Sequence, residues 1–354
     1  MNSFEKTNPF RAAAIPLVLL GWLTGAVFAQ TPGPAFIPLG VPAPGPATDR
    51  PYAPQPILPG GVIVPLYAPD SPRLNREKVR EAEKYNMSGS VPGRIQSIVN
   101  IHNPSIEFHP VEGRANTGTA VIVVAGGGHR TLNVGNEGGD PAIWLFNFGV
   151  NAVILRNRMR SDGYDLQKDS MIDALQSVRL VRAQAREWKI DPAKIGIMGF
   201  SAGAELAAWT AVFYEDFDKE NAGAGDPLAG ISSRPDFVGL VYPGPTPFTK
   251  DPATRIAPNA PPTFIVCAGA GDKVHAVWAD AYFAAMLKAG VPNLEMHIYA
   301  NGVHGGGLTD RDGIPFGTWQ DRYVDWFRDL GFLGKPGVET KAARDVAAFV
   351  KKSQ

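Results

Sequence analysis

Ser201 lies in Gly199-Phe200-Ser201-Ala202-Gly203, between the apolar run Ile195-Gly196-Ile197-Met198 and the helix-forming Ala204-Glu205-Leu206-Ala207-Ala208-Trp209. A buried strand passing straight into a helix through Gly-x-Ser-x-Gly makes a tight, strained turn that lifts the serine hydroxyl out of the sheet. An alcohol presented in this way suits nucleophilic attack on a carbonyl, provided a base takes its proton and a third group holds that base in one tautomer. The motif is short enough to arise by chance. The rest of the chain must therefore supply the partners.

Two later loops supply them. Asp272 follows the apolar run Thr263–Ala268 across Gly269-Ala270-Gly271, and His304 follows Leu294–Tyr299 across Ala300–Val303. The order Ser, Asp, His suits strand-end loops of a doubly wound hydrolase sheet. Each has a competing reading. Asp272 also suits the N-cap of a helix from about Val274 to Ala289, and His275, three residues on, is placed at the substrate pocket. His297 sits inside a strand pattern, which favours a packed or surface role. His304 is preferred as base because Gly302, Gly305, Gly306 and Gly307 let its loop approach the serine.

Acyl transfer also needs donors for the oxyanion. One is expected from the backbone N–H of Ala202, at a helix N-terminus directly after the serine. The others are expected from Gly127 and Gly128 in Gly126-Gly127-Gly128-His129, just after the strand run Thr119–Ala125. A phosphate cradle is the rival reading of these glycines, but neither the Gly-Lys-Ser/Thr sequel nor dinucleotide-binding spacing is present. His129 and Tyr242 are assigned, with His275, to the pocket wall.

These residues need a scaffold. Apolar runs Thr119–Ala125, Asn151–Leu155, Lys194–Met198, Phe237–Val241, Thr263–Ala268 and Leu294–Tyr299 alternate with helical patterns, implying a mostly parallel sheet covered on both faces. Ile98–Ile101 and Ile106–His109 are expected to form an antiparallel edge hairpin. Met171, Ala174, Leu175, Val178, Val181 and Ala185 mark the core face of a helix over Lys168–Trp188, with Arg179, Arg182 and Arg186 expected in solvent. Asp140-Pro141 reads as N-cap and first turn of another helix. The insertion from Val212 to Pro235 is either a lid or surface elaboration.

The chain has 354 residues with 34 basic and 34 acidic side chains, so it offers no electrostatic footprint for nucleic acid. A weakly charged substrate fits. Lys6 and Arg11 precede an apolar stretch from Ala12 that ends in Val27-Phe28-Ala29; residues 1–29 read as an export signal, with an uncleaved anchor as the alternative. The mature protein is expected to be secreted or periplasmic, without stable membrane association. Thirteen prolines between Thr31 and Pro72 make residues 30–90 a linker or wrap that is expected neither to join a ladder nor to bury a core. Residues 91–333 form the expected catalytic domain, and 334–354 a tail that frays or docks a short helix through Val346, Phe349 and Val350. The single cysteine, Cys267, reads as a small buried hydrophobe. No cofactor or metal is expected, because no histidine pair has ligand spacing on a helix.

Several blocks together resemble a known family: Ala125–His129, Asn136–Ala142, Ile190–Gly203, Ser232–Phe237 and Gly302–Gly305. They look like the bacterial secreted α/β-hydrolases of the acetylxylan esterase-like group, with the likeness extending over about Ile98–Leu330. The resemblance implies an α/β-hydrolase fold, the roles given above for Ser201, His304, Asp272, Gly127, Gly128 and Ala202, and acetyl or related esters on carbohydrate as substrates. The chain departs from the group at Ala125 and His129, where relatives usually carry proline and an aromatic residue. It departs again at Asp272-Lys273-Val274-His275, where they often have Asp-Asp before a valine-proline pair.

The expected activity is that of a serine esterase acting on a small ester or acylated carbohydrate. An esterase or lactonase for feruloyl, xenobiotic or polyester substrates would use the same residues. A glycosidase would need two facing carboxylates, which Glu107, Glu112 and Glu137 do not compel. From a different class, an inactive hydrolase fold could serve as a binding module.

Overall fold

Apolar runs of four to six residues, too short for helices and too continuous for one-sided burial, become the strands of this protein. The computed structural model describes residues 49–223, 225–309 and 316–353. Residues 1–29, read above as an export signal, and residues 30–48 lie outside them. In chain order the elements are β1 (Val62–Pro65), β2 (Lys84–Met87), β3 (Ile95–Val99), β4 (Ser105–His109), β5 (Ala120–Val124), α1 (Asp140–Phe146), β6 (Asn151–Arg156), α2 (Met171–Gln184) and β7 (Ile195–Phe200). There follow α3 (Ala202–Glu220), β8 (Val238–Val241), α4 (Pro247–Lys250), β9 (Thr263–Ala268), α5 (Lys273–Lys288), β10 (Glu295–Tyr299), α6 (Trp319–Leu330) and α7 (Lys341–Ser353).

Eight strands form one sheet in the order β1-β4-β6-β5-β7-β8-β9-β10, parallel from β6 to β10 and antiparallel at β1 and β4. Every residue of β5, β6, β7, β8 and β9 is buried, as expected of strands covered on both faces. The chain adds β6 on one side of β5 and then β7 on the other, so the strand order reverses beside β5. In open α/β sheets the crevice at such a reversal, beyond the carboxyl ends of the strands, is where ligands bind. The loops after β5, β7, β8, β9 and β10 all open on that edge. The fold is that of an α/β-hydrolase.

Several local expectations are corrected. No hairpin joins β3 to β4: Asn100 turns with φ +64°, β3 pairs with β2, and both edges of β4 are occupied by β1 and β6. Asp140 is not an N-cap, because helical backbone already begins with a π-type turn over Gly135–Gly139; its carboxylate pairs instead with Arg94 at 2.8 Å. Nor is Arg179 solvated. It is buried and bonds Asp226 (2.7 Å) and the Ile231 carbonyl (3.0 Å), its fork of donors matching the loop after α3. Arg182 similarly bonds Asp236 and the Arg234 carbonyl. These bonds place the insertion: its first part continues α3, and Asp236, the residue directly after it, accepts from Ile195 N–H at the start of β7. Six strand residues, about 20 Å, separate that end of β7 from Ser201. The insertion is surface elaboration, not a lid.

The proline-rich segment is more than a tether. Val62–Pro65 adds a strand to the sheet edge, where a proline ending the strand is tolerated, and Ile57, Leu66, Tyr67 and Leu74 enter the core. Charges lock it down. Buried Glu107 accepts from Ile57 N–H (2.7 Å) and Leu58 N–H (3.0 Å) and pairs with Arg156 (3.1 Å). Tyr67 donates to Asp173, which pairs with Arg158 at 2.7 Å. At the other end, the tail folds into α7 and docks through Ala342 and Val346.

Candidate active site

At the end of β7 the backbone reaches Ser201 with φ +53° and ψ −118°, a conformation that costs a non-glycine residue energy and persists only where its surroundings impose it. The flanking glycines are what permit it. A Cβ on Gly203 would stand 2.0 Å from the Val124 carbonyl oxygen, and one on Gly199 would stand 2.2 Å from the Gly203 oxygen. Ser201 N–H bonds the Val241 carbonyl at 3.0 Å, tying the turn to β8.

Ser201 Oγ lies 2.7 Å from His304 Nε2, and His304 Nδ1 lies 3.0 Å from Asp272 Oδ2. The three residues come from the ends of β7, β9 and β10, as the sequence suggested. Asp272 does occupy the N-cap position of α5, yet its side chain caps nothing. Both oxygens go to imidazoles instead: Oδ2 to His304 and Oδ1 to His275 Nδ1. Burial pushes the Asp272 carboxyl up, but the donors and charge of His275 and His304 outweigh it and hold the group below the usual range. An ionised carboxylate only accepts, so Nδ1 carries the proton in both rings and His304 Nε2 is left to accept from the serine.

The glycine turn after β5 faces the same point. Gly126 would press a Cβ to 2.8 Å from that of Ser201, and Gly127, with φ +129°, would press one to 2.1 Å from the Thr131 carbonyl. Gly126 N–H is taken by Glu137 Oε2 at 2.9 Å. No acceptor among the described residues takes the N–H of Gly127 or Gly128. Ala202 opens α3, where N–H groups lack intrahelical partners and the helix dipole favours negative charge.

The pocket assignments fare differently. His129 is buried, in left-handed backbone, with Nε2 bonded to Glu205 Oε2 at 2.9 Å, so it braces the glycine turn against α3. Tyr242 has no exposed surface and is not a pocket wall. Its hydroxyl donates to Glu137 Oε1 (2.7 Å) and accepts Gly307 N–H (3.0 Å), while its ring lies edge-on to His304 at 5.0 Å. His275 stacks on His304, with ring centroids 3.7 Å apart and planes 15° apart.

Glu137 was missed as part of the site. Its one sequence signal is a carboxylate just before the pair Gly138-Gly139, at a position that turns out 3% exposed. Asp272, His275 and His304 have donor atoms within 4.8 Å of one another. Their near-parallel rings do not aim both lone pairs at one point, so shared metal ligation would require turning them.

The chain is similar to the following relatives and solved structures. A family model described as BD-FAE matches residues 108–228. Endo-1,4-beta-xylanase B of Butyrivibrio fibrisolvens is 30% identical over 198 residues, covering 55% of this chain and 29% of the relative. An acetylxylan esterase of Xylanibacter ruminicola is 26% identical over 284 residues, covering 72% of this chain and 51% of the relative. The chain thus spans at most about half the length of these two curated relatives. The crystal structure of an acetyl ester-xyloside bifunctional hydrolase from Caldicellulosiruptor lactoaceticus superposes with TM-score 0.61 at 25% identity, covering 79% of this chain and 100% of that one. The chain has the α/β-hydrolase fold, and the relatives and structural neighbours it resembles include esterases.

Proposed function

We propose that this protein is a secreted or periplasmic serine esterase that removes acetyl groups from xylan or a related carbohydrate. The observation that carries the reading is the unbroken line from Ser201 Oγ through His304 to Asp272, at 2.7 and 3.0 Å. Ser201 Oγ attacks the ester carbonyl as its proton passes to His304 Nε2. The oxyanion is held by the N–H groups of Gly127, Gly128 and Ala202. His304 returns the proton to the departing sugar hydroxyl, leaving acetyl-Ser201. Water, deprotonated by His304, then attacks the acyl carbon, and acetate leaves as the proton returns to Ser201.

The substrate class rests on what the relatives are called: an acetylxylan esterase, a xylanase and an acetyl ester-xyloside hydrolase. A formal net charge of zero suits a neutral glycan ester. Secretion rests on residues 1–29, which lie outside the described part. Among the described residues no helix is long and apolar enough to cross a membrane. The catalytic domain, bounded at 91–333 from sequence, takes in residues 49–90 as a structural part.

The test compares wild type with Ser201→Ala on p-nitrophenyl acetate, with a fluorophosphonate probe reporting the nucleophile. The variant should lose about four orders of magnitude or more in kcat and fail to label. Full turnover by Ser201→Ala would refute the nucleophile, and an unlabelled wild type would favour the binding-module reading. Acetate release from acetylated xylan, against turnover of methyl ferulate and p-nitrophenyl butyrate, decides the ester class.

A further inference from the structure

His304 is carried by a glycine-rich loop after β10. Gly302, Gly305, Gly306 and Gly307 have φ of +132°, +91°, +90° and +63°, and 34% of the His304 side chain is exposed. His275 is differently placed. It stands in the first turn of the sixteen-residue α5, with Trp278, one turn further on, edge-on to its ring at 5.0 Å.

These two histidines meet at Asp272. One carboxylate oxygen accepts from each Nδ1–H, and the rings stack at 3.7 Å. A carboxylate held at one oxygen can still turn about its Cβ–Cγ bond, because terminal sp³–sp² torsions are soft. Held at both, it has one plane. Asp272 makes no other side-chain hydrogen bond among the described residues, its capping role being unused, so the second point of attachment is His275.

We propose that His275 is a positioning residue of the hydrolytic relay: its Nδ1–H, presented by α5, fixes the Asp272 carboxylate so that Oδ2 stays aligned on the loop-borne His304. The inference rests on the esterase reading above. Among the described residues no hydrogen bond joins His275 to the nucleophile or to the oxyanion donors; it acts through Asp272. The charged and titratable groups around it are Asp272 from the loop after β9, His304 from the loop after β10 and the exposed Lys273 on α5 itself.

Three variants separate the donor from the stack. His275→Ala removes both, His275→Asn keeps an N–H near the Nδ1 position, and His275→Phe keeps a ring without a donor. The expected result on p-nitrophenyl acetate is a ten- to hundredfold fall in kcat for Ala and Phe, with KM within about threefold. Asn should recover most of the loss, a pattern expected when only the transition state loses an interaction. A second readout does not depend on turnover. The downfield proton NMR resonance of His304 Nδ1–H, absent in His304→Ala, should broaden or move upfield in His275→Ala and His275→Phe and return in His275→Asn. An Ala variant with wild-type kcat and an unmoved resonance overturns the proposal, as does a Phe variant that recovers as well as Asn. If Ser201→Ala instead keeps full turnover, the esterase reading fails, while the resonance still decides whether His275 holds Asp272.

Discussion

Tyr242 and Glu137 form a buried pair that joins two loops of the site: the tyrosine hydroxyl donates to Glu137 Oε1 at 2.7 Å and accepts the Gly307 N–H at 3.0 Å. Glu137 Oε2 holds Gly126 N–H at 2.9 Å. The glycine turn after β5 and the histidine loop after β10 are thereby tied through one carboxylate and one phenol. Tyr242→Phe keeps the ring against His304 and deletes the link. We predict a loss of about 1–3 kcal/mol in stability and roughly a tenfold fall in kcat, with KM little changed. Steady-state kinetics with thermal unfolding checks both, and wild-type kcat in Tyr242→Phe would show that the two loops hold their places independently.

Gly127→Ala tests the oxyanion turn. Its Cβ would stand 2.1 Å from the Thr131 carbonyl at φ +129°, so the turn must move. Losing one aligned donor costs on the order of a hundred- to a thousandfold in rate. The expected outcome is that fall in kcat with serine labelling by fluorophosphonate slowed in parallel.

Gly203→Ala tests the elbow as a packing device. The added methyl meets the Val124 oxygen at 2.0 Å, and that backbone belongs to the central strand β5. We expect destabilisation of at least about 2 kcal/mol, since overpacking against rigid backbone has no easy relief. A denaturant midpoint equal to wild type would contradict this.

Asp272 links the site to acid stability. Its folded-state pKa lies below the ordinary carboxylate value despite burial, so the folded protein binds this proton less readily than the unfolded chain. The resulting stabilisation is fully present above about pH 4 and fades as pH falls through the lower folded value. The gap in unfolding midpoint between wild type and Asp272→Asn should therefore be widest at neutral pH and close below about pH 4.

Arg158 tests how the proline-rich segment is anchored. It pairs with Asp173 at 2.7 Å and Asp169 at 2.9 Å, and donates to the Arg73 carbonyl at 2.8 Å. Arg158→Ala leaves the buried Asp173 with hydrogen bonds from Tyr67 and the residue-158 N–H but without its counter-charge, at a cost of about 3–5 kcal/mol. Proteolysis near Tyr67–Arg73 should accelerate well before catalytic residues are affected.

The sequence by itself determined what local chemistry encodes. Continuous β-branched runs such as Ala120–Val124 can satisfy themselves only in a covered sheet. Gly-x-Ser-x-Gly between a strand and a helix is a turn whose strain needs those glycines, so Ser201 was legible, as were the loops bearing Asp272 and His304. The tertiary structure decided which groups meet. Asp272 has the sequence of a helix cap, and only the convergence of β7, β9 and β10 turns its carboxylate to two imidazoles. Glu137 and Tyr242 lie 105 residues apart, and their partnership has no local signature. The proline-rich segment carries no periodic apolar pattern, yet Ile57, Leu66 and Tyr67 are buried because Glu107, Arg156, Arg158 and Asp173 provide partners for its backbone and side chains. Strand and turn formation are set within a few residues, whereas pairing of buried polar groups is set by whichever distant element the sheet brings alongside.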